Sequence, residues 1–230
     1  MDRNSGSPRD LSRRDFLLAA AAVSSEAFLV HSAQAEPVTE VAGTGPGIDV
    51  KRFVADCVAA SGESNAQAAV LEVLARAVHR PNEVLAALGG PRAAGITVLH
   101  RSKTLTIFNA AWTPQMNLMP HNHLMWANIG IYTGREDNIL WRETAAGIEA
   151  FGAKALFAGD TVALPADVIH SVTNPLLRFT GGIHIYGGDF FDTTRSQWNP
   201  ETLAREASDG STIRSMFERE NVRSRGCNGR

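Results

Sequence analysis

Cysteine is scarce in this chain. The two present, Cys57 and Cys227, have a spacing that matches no metal-binding motif. That argues against a cysteine-ligated metal and against the dense disulfide framework of a small secreted domain. Cys57 falls in a helical pattern and reads as a buried apolar residue, while Cys227 falls in a Gly/Arg-rich tail. Neither is assigned chemistry, and a bridge between them is left open. Charge of one sign is also lacking. Lysine and arginine total 22 and aspartate and glutamate 24, interspersed, for a net −2. No basic stripe offers itself to a phosphate backbone, so nucleic acid is not an expected partner. No apolar run is long enough to span a bilayer, and no repeat period suggests a solenoid.

What is there begins with an export pattern. Ser12-Arg13-Arg14-Asp15-Phe16-Leu17 precedes a modest apolar segment from Phe16 to Val30, interrupted by Glu26. Ala33-Gln34-Ala35 then supplies a small-x-small cleavage pattern. Paired arginines followed by x-Phe-Leu resemble a twin-arginine signal, so residues 1–35 are expected to be removed. The twin-arginine translocation machinery is then a partner, and the mature protein is periplasmic or secreted, with no membrane span. The removed segment carries four basic and four acidic side chains, which leaves the mature charge at −2.

Residues 36–95 read as a linker followed by helices. Val50 to Ser61 is apolar at helical spacing, and Ser64-Asn65-Ala66-Gln67 resembles a capping box. Val70, Val73, Leu74, Ala77 and Val78 form a stripe of helical period, ended by Pro81. A short helix follows from Asn82 to Leu88.

The pattern changes at Ile96. Short β-rich runs cover 97–101, 104–112, 124–132, 138–142, 148–151, 154–157, 161–164, 169–172 and 177–186, broken by Gly, Pro and Asn. They predict an all-β sandwich or barrel over residues 96–190. Residues 191–230 form a polar C-terminal tail. A helix is expected at Asn199-Pro200-Glu201, another from Ser211 to Glu220, and disorder from Arg223 onward. The tail either covers the barrel or makes a homodimer contact.

Pro120-His121-Asn122-His123 is the chemically loaded stretch. Side chains alternate along a strand, so His121 and His123 face one way and suit two positions on one metal. Downstream, Gly159, Pro165, His170 and Asn174 stand in the register of the second motif of the cupin superfamily, with Asp167 in place of its middle Gly. His121, His123 and Gly134 match the first motif, with Ala127 where that motif has Glu. The stretch from about Thr97 to Tyr186 thus resembles a cupin. The resemblance implies a double-stranded β-helix, or small jelly roll, with N-terminal helices added and a metal inside held by His121, His123 and His170.

The absent Glu narrows the likeness to three-histidine cupins similar to cysteine dioxygenase. In those enzymes a Ser-x-His-x-Tyr strand supports the iron. Here His184 and Tyr186 match it, with Gly182 at the Ser position. Losing the Ser hydroxyl is expected to take one orienting partner from His184. Residues 125–138 and 168–191 are also similar to bacterial predicted metal-dependent β-helix proteins grouped beside cysteine dioxygenase.

The resemblance implies an iron(II) dioxygenase that adds O2 to the sulfur of a small thiol, with Tyr186 and His184 as catalytic residues. Zinc, nickel or manganese are alternative metals. A hydrolytic or isomerising metal enzyme and a non-catalytic metal- or ligand-binding module are alternative functions. A substrate carboxylate needs a cation or donor, for which Arg101, Lys103, Arg178 and Gln115 are candidates by position. Trp112, Trp126 and Trp141 read as barrel packing, with Trp126 a candidate for the cavity mouth. His79 and His100 read as surface residues.

Overall fold

The computed structural model describes residues 47–145, 147–208 and 210–227. The expected signal segment 1–35 and the linker to residue 46 lie outside the described residues.

Three helices open the described chain: α1 (Val50–Ala60), α2 (Ala66–Val78) and α3 (Pro81–Leu88). Asp49 caps α1, its Oδ1 accepting from the Arg52 N–H at 3.0 Å. The expected capping box on α2 is not made. Its N-cap is Asn65, whose side chain makes no capping bond. Gln67 instead reaches the barrel, where Nε2 donates to the carbonyls of Leu164 at 2.9 Å and Ala127 at 3.3 Å. α2 ends at Val78 ahead of Pro81, as expected, and Pro81 also opens α3, where a missing N–H costs nothing.

The strands are β1 (Gly95–Arg101), β2 (Thr106–Trp112), β3 (Asn117–Asn122), β4 (Ala127–Thr133), β5 (Arg135–Thr144), β6 (Gly147–Phe157), β7 (Thr161–Leu164), β8 (Ile169–Thr173), β9 (Thr180–Tyr186), β10 (Ser196–Trp198) and β11 (Arg205–Ala207). They form two antiparallel sheets in the orders β1-β2-β9-β4-β7 and β11-β10-β3-β8-β5-β6. This is the double-stranded β-helix expected from the sequence. The two runs expected at 148–151 and 154–157 are one strand, β6, paired with β5 over almost its whole length.

Alternation gives β9 two jobs. Ile183 and Ile185 point outward into an apolar cluster shared with Val70, Leu74 and Val78 of α2. His184 and Tyr186 point inward, where Tyr186 and its neighbours Phe108 and Ile129 belong to the barrel core. α2 lies close on the outer face: a methyl at Gly130 would stand 2.9 Å from Leu74 Cγ. The helices therefore fix the strands that carry the inward side chains.

The C-terminal region departs from expectation. No helix forms at Asn199-Pro200-Glu201. Asn199 Oδ1 accepts from the N–H groups of Glu201 and Thr202, closing a turn between β10 and β11. The last helix, α4, runs Gly210–Cys227 and includes residues expected to be disordered; residues 228–230 lie outside the described residues. Asn221 holds α4 to the entry of β1 through both backbone groups of Ala94, at 2.6 and 2.9 Å. Phe217 stacks on Trp112 with ring centroids 5.8 Å apart. The tail thus covers one end of the barrel.

Candidate metal centre

His121 and His170 are direct register partners on β3 and β8. His123 lies one residue past the end of β3, and Leu124 after it takes a positive φ of 55° as the chain turns. All three rings nonetheless turn into the barrel, and each is at least nine-tenths buried. One nitrogen from each lies within 4.8 Å of the other two. His123 Nε2 is 3.2 Å from His121 Nε2 and 3.1 Å from His170 Nε2. Nitrogens that share one ion at about 2.1 Å stand roughly 3 Å apart.

The outer nitrogens fix the protons. His121 Nδ1 is 3.0 Å from the Met119 carbonyl, an acceptor only, so Nδ1 carries the hydrogen. His170 Nδ1 donates to Asn138 Oδ1 at 2.6 Å. Two Nε2 lone pairs therefore converge on His123 Nε2, while His123 Nδ1 is buried with no partner. Such a cluster is unfavourable by itself and is satisfied by a cation at its centre. Burial, as the largest cause, pushes His121 down to about 4 and His123 and His170 well below their ordinary value. The imidazoles are neutral near pH 7, the form that binds metal.

Glu136 is the residue the sequence analysis overlooked. It projects inward from β5 and is wholly buried. Its Oε2 accepts from Trp112 Nε1 at 2.8 Å, and its Oε1 accepts from Asn138 Nδ2 at 3.1 Å. His184 Nε2 stands 3.3 Å from Oε2, within ion-pair range although without the alignment of a hydrogen bond. Burial alone would raise the Glu136 carboxyl, but His184, Asn138 and Trp112 together hold it below its ordinary value. As expected from Gly182, His184 Nε2 is left without a hydrogen-bond partner. A carboxylate from another strand stands at that nitrogen. Trp112 is more than packing, because its indole N–H anchors this carboxylate.

Tyr186 lies beside the cluster, with ring centroids 4.8 Å from His123. Its hydroxyl makes a long 3.4 Å contact with His184 Nδ1. Burial raises the phenol above its ordinary range, so it stays a neutral hydroxyl.

A cavity of about 40 Å³ lies against His121, His170, His184 and Tyr186. Phe190, Arg195, Ile213 and Phe217 line both this cavity and an outer vestibule of about 460 Å³ between β1 and α4. Arg195 stands at the neck. Its guanidinium stacks on Phe190 at 3.7 Å, and its Nε is buried without a hydrogen-bond partner. The Arg195 charge bears on Tyr186, His121 and His123. A larger surface cleft, about 580 Å³, lies between α1 and α2 and contains none of these histidines.

None of the four carboxylate-anchor candidates lines the cavity. Arg101 pairs with Asp189 at 2.9 Å, and Lys103, Gln115 and Arg178 are exposed. Trp126 packs toward the helices, not at the cavity mouth. Trp141 Nε1 donates to Ser171 Oγ at 3.0 Å. His79 is exposed and His100 half-buried. Cys57 is fully buried, as its helical position suggested. The signal for Arg195 was faint: a cation just after the Phe190-Phe191 pair, in a segment read as a polar tail.

No protein-family model matches the sequence, and no curated protein does. Among solved structures, the chain is similar to a Bacillus halodurans protein at 16% identity and a TM-score of 0.38, over 43% of this chain and 72% of that one. It is similar to an RmlC-like cupin with a double-stranded β-helix fold from Methanocaldococcus jannaschii at 13% identity and a TM-score of 0.36, over 44% and 88%. For an oxalate oxidase bound to the substrate analogue glycolate, the values are 12% and 0.35, over 44% and 53%. These are likenesses of fold.

Proposed function

We propose that the chain is a metal-dependent oxidoreductase that oxidises a small thiol to its sulfinate, with iron(II) held by His121, His123 and His170. The observation that carries this reading is the convergence of three neutral imidazoles with no ligating carboxylate, two of which, His121 and His170, line a cavity edged by Tyr186 and Arg195. Iron(II) held by these three histidines, with no carboxylate among its ligands, would supply the activation of a thiolate and dioxygen. The thiolate and one O2 account for every atom of the sulfinate, so no further reductant is needed.

The protein's own side chains divide the remaining work. Arg195 offers a charge-assisted bond to the anionic end of a substrate arriving through the vestibule. Tyr186, held only by a long contact, can turn its hydroxyl proton toward the reacting end of a substrate in the cavity. Phe108, Phe190 and Phe217 keep the cavity dry, which strengthens both interactions. The N-terminal pattern supports export by the twin-arginine route and action outside the cytoplasm.

Oxygen uptake by protein reconstituted with iron(II) tests the proposal, using cysteine, 3-mercaptopropionate and related thiols. Uptake matched by sulfinate formation is expected. No uptake with any thiol would remove this chemistry. Three histidines and an open position also suit catalytic zinc, and metal analysis of protein taken from its own compartment separates the two, because zinc cannot support the oxidation.

A further inference from the structure

Among the described residues Glu136 is the one buried acidic side chain. It touches none of the three histidines of the cluster in a hydrogen bond, yet it lies between two arms that end at the site. One arm runs through Asn138 to His170, and the other through His184 to Tyr186.

We propose that Glu136 is a positioning residue for the metal site, an acceptor-only carboxylate that fixes His170 through Asn138 and stands against His184. The inference rests on His121, His123 and His170 being metal ligands.

Three features of the geometry carry it. First, both groups that hydrogen-bond Glu136 are nitrogen donors, Asn138 Nδ2 on Oε1 and Trp112 Nε1 on Oε2, with His184 Nε2 standing 3.3 Å from Oε2. A glutamine would set its amide against a donor in either orientation. Second, holding Asn138 Nδ2 on the carboxylate leaves only Asn138 Oδ1 to face His170 Nδ1. That orientation requires the Nδ1–H tautomer and frees the Nε2 lone pair to ligate. Third, the three histidines are electrically neutral, and Glu136 brings a negative charge inside the same barrel without occupying a ligand position. The cavity side of the site stays open while its charge is partly balanced.

The test uses the full chain, stripped of metal and titrated with Co(II), whose visible absorption reports ligand geometry. E136Q is expected to lower Co(II) affinity by about 10- to 100-fold and to change the absorption bands. N138A, with the carboxylate intact, is expected to weaken affinity similarly. The double variant should be no weaker than the worse single one, because both act on His170.

Wild-type affinity and an unchanged spectrum in folded E136Q, with only a lower Tm, would overturn the proposal and make Glu136 a packing residue. Should E136Q not fold, N138A decides: undiminished Co(II) binding there overturns the proposal as well. Additive losses in the double variant overturn the coupling through Asn138. A wild-type chain that takes up no Co(II) sinks the metal site and this role together. Failure to oxidise any thiol, with these affinity changes present, removes only the oxidation.

Discussion

His121 and His170 face each other across the ladder between β3 and β8, with their rings 4.6 Å apart. Two donors from paired strands are held by backbone hydrogen bonds and not by a loop, which gives a site its precision. H121A or H170A should each lose metal almost completely. The wild type should hold about one ion per chain, as expected for one tri-histidine set, and either variant only a small fraction of that. Metal content after dialysis measures it. Both variants should stay folded when metal-free, because removing a neutral imidazole leaves no buried charge. A variant that retained full metal would show that its histidine is not a ligand.

Arg195 predicts a discrimination by substrate charge. Replacement by methionine keeps bulk over Phe190 and deletes the cation. A hydrogen bond to a charged group contributes about 1.5–3 kcal/mol, so kcat/KM for an anionic thiol should fall by about 10- to 100-fold. A neutral thiol such as 2-mercaptoethanol should be oxidised about as well as by the wild type. Equal losses on both thiols would place Arg195 in the architecture of the neck and not in recognition.

What the sequence revealed and what it hid follow from locality. His121 and His123 are legible because alternation acts over two residues. His170 is legible through the resemblance of Gly159, Pro165, His170 and Asn174 to the second cupin motif. Asn174 closes a turn after β8, its Nδ2 donating to the carbonyls of Thr113 and Arg178. The Glu136–His184 contact joins strands 48 residues apart, and no period in the chain announces it. Arg195 was hidden by its polar surroundings. The Asn199-Pro200-Glu201 turn was misread because Asn before Pro-Glu satisfies a helix start and an Asx turn equally well. Tertiary pairing of Gln197 with His121 on the neighbouring strand decides between them.

The depressed imidazoles predict a stability change with pH in the metal-free protein. Folded His121 sits at about 4, against 6.5 for an unperturbed histidine, and burial holds His123 and His170 well below their ordinary value too. Between pH 6.5 and 4 the unfolded chain binds protons that the folded chain refuses. The stability these groups contribute is therefore fully present above about 6.5 and is lost as pH falls toward 4. Tm of the stripped protein should be flat from about pH 7 to 8 and fall progressively below 6.5. Metal-free H170A should fall less steeply. Identical slopes would show that the histidine protons are not the cause.

Gly182 predicts the outcome of placing a serine at that position of β9. A Cβ there would stand 2.8 Å from Ile131 Cδ1 and 3.4 Å from His184 Nε2. Ile131 is fully buried, so it has little room to yield. G182S should destabilise the fold by about 1–3 kcal/mol, the usual cost of overpacking. Adding I131V removes the clashing methyl and should recover most of that loss. Chemical denaturation of the single and double variants measures both. Equal stability of G182S and wild type would show that the barrel yields at this point.

Cys57 gives a prediction independent of the metal. The thiol is fully buried under α2, and burial pushes it from 9.0 up to about 12. Thiolate is the reactive form, so near pH 8 the folded protein presents almost none. In a C227S background, Ellman's reagent should leave the native chain unmodified over hours and react with one thiol once denaturant is added. The raised value also fixes a sign: burial of the neutral thiol contributes its full stability below about pH 9, and that contribution drains away as pH climbs toward 12. The stability difference between wild type and C57A should therefore shrink at high pH. Rapid labelling of the native protein at pH 8 would mean that α1 and α2 part far more readily than their packing implies.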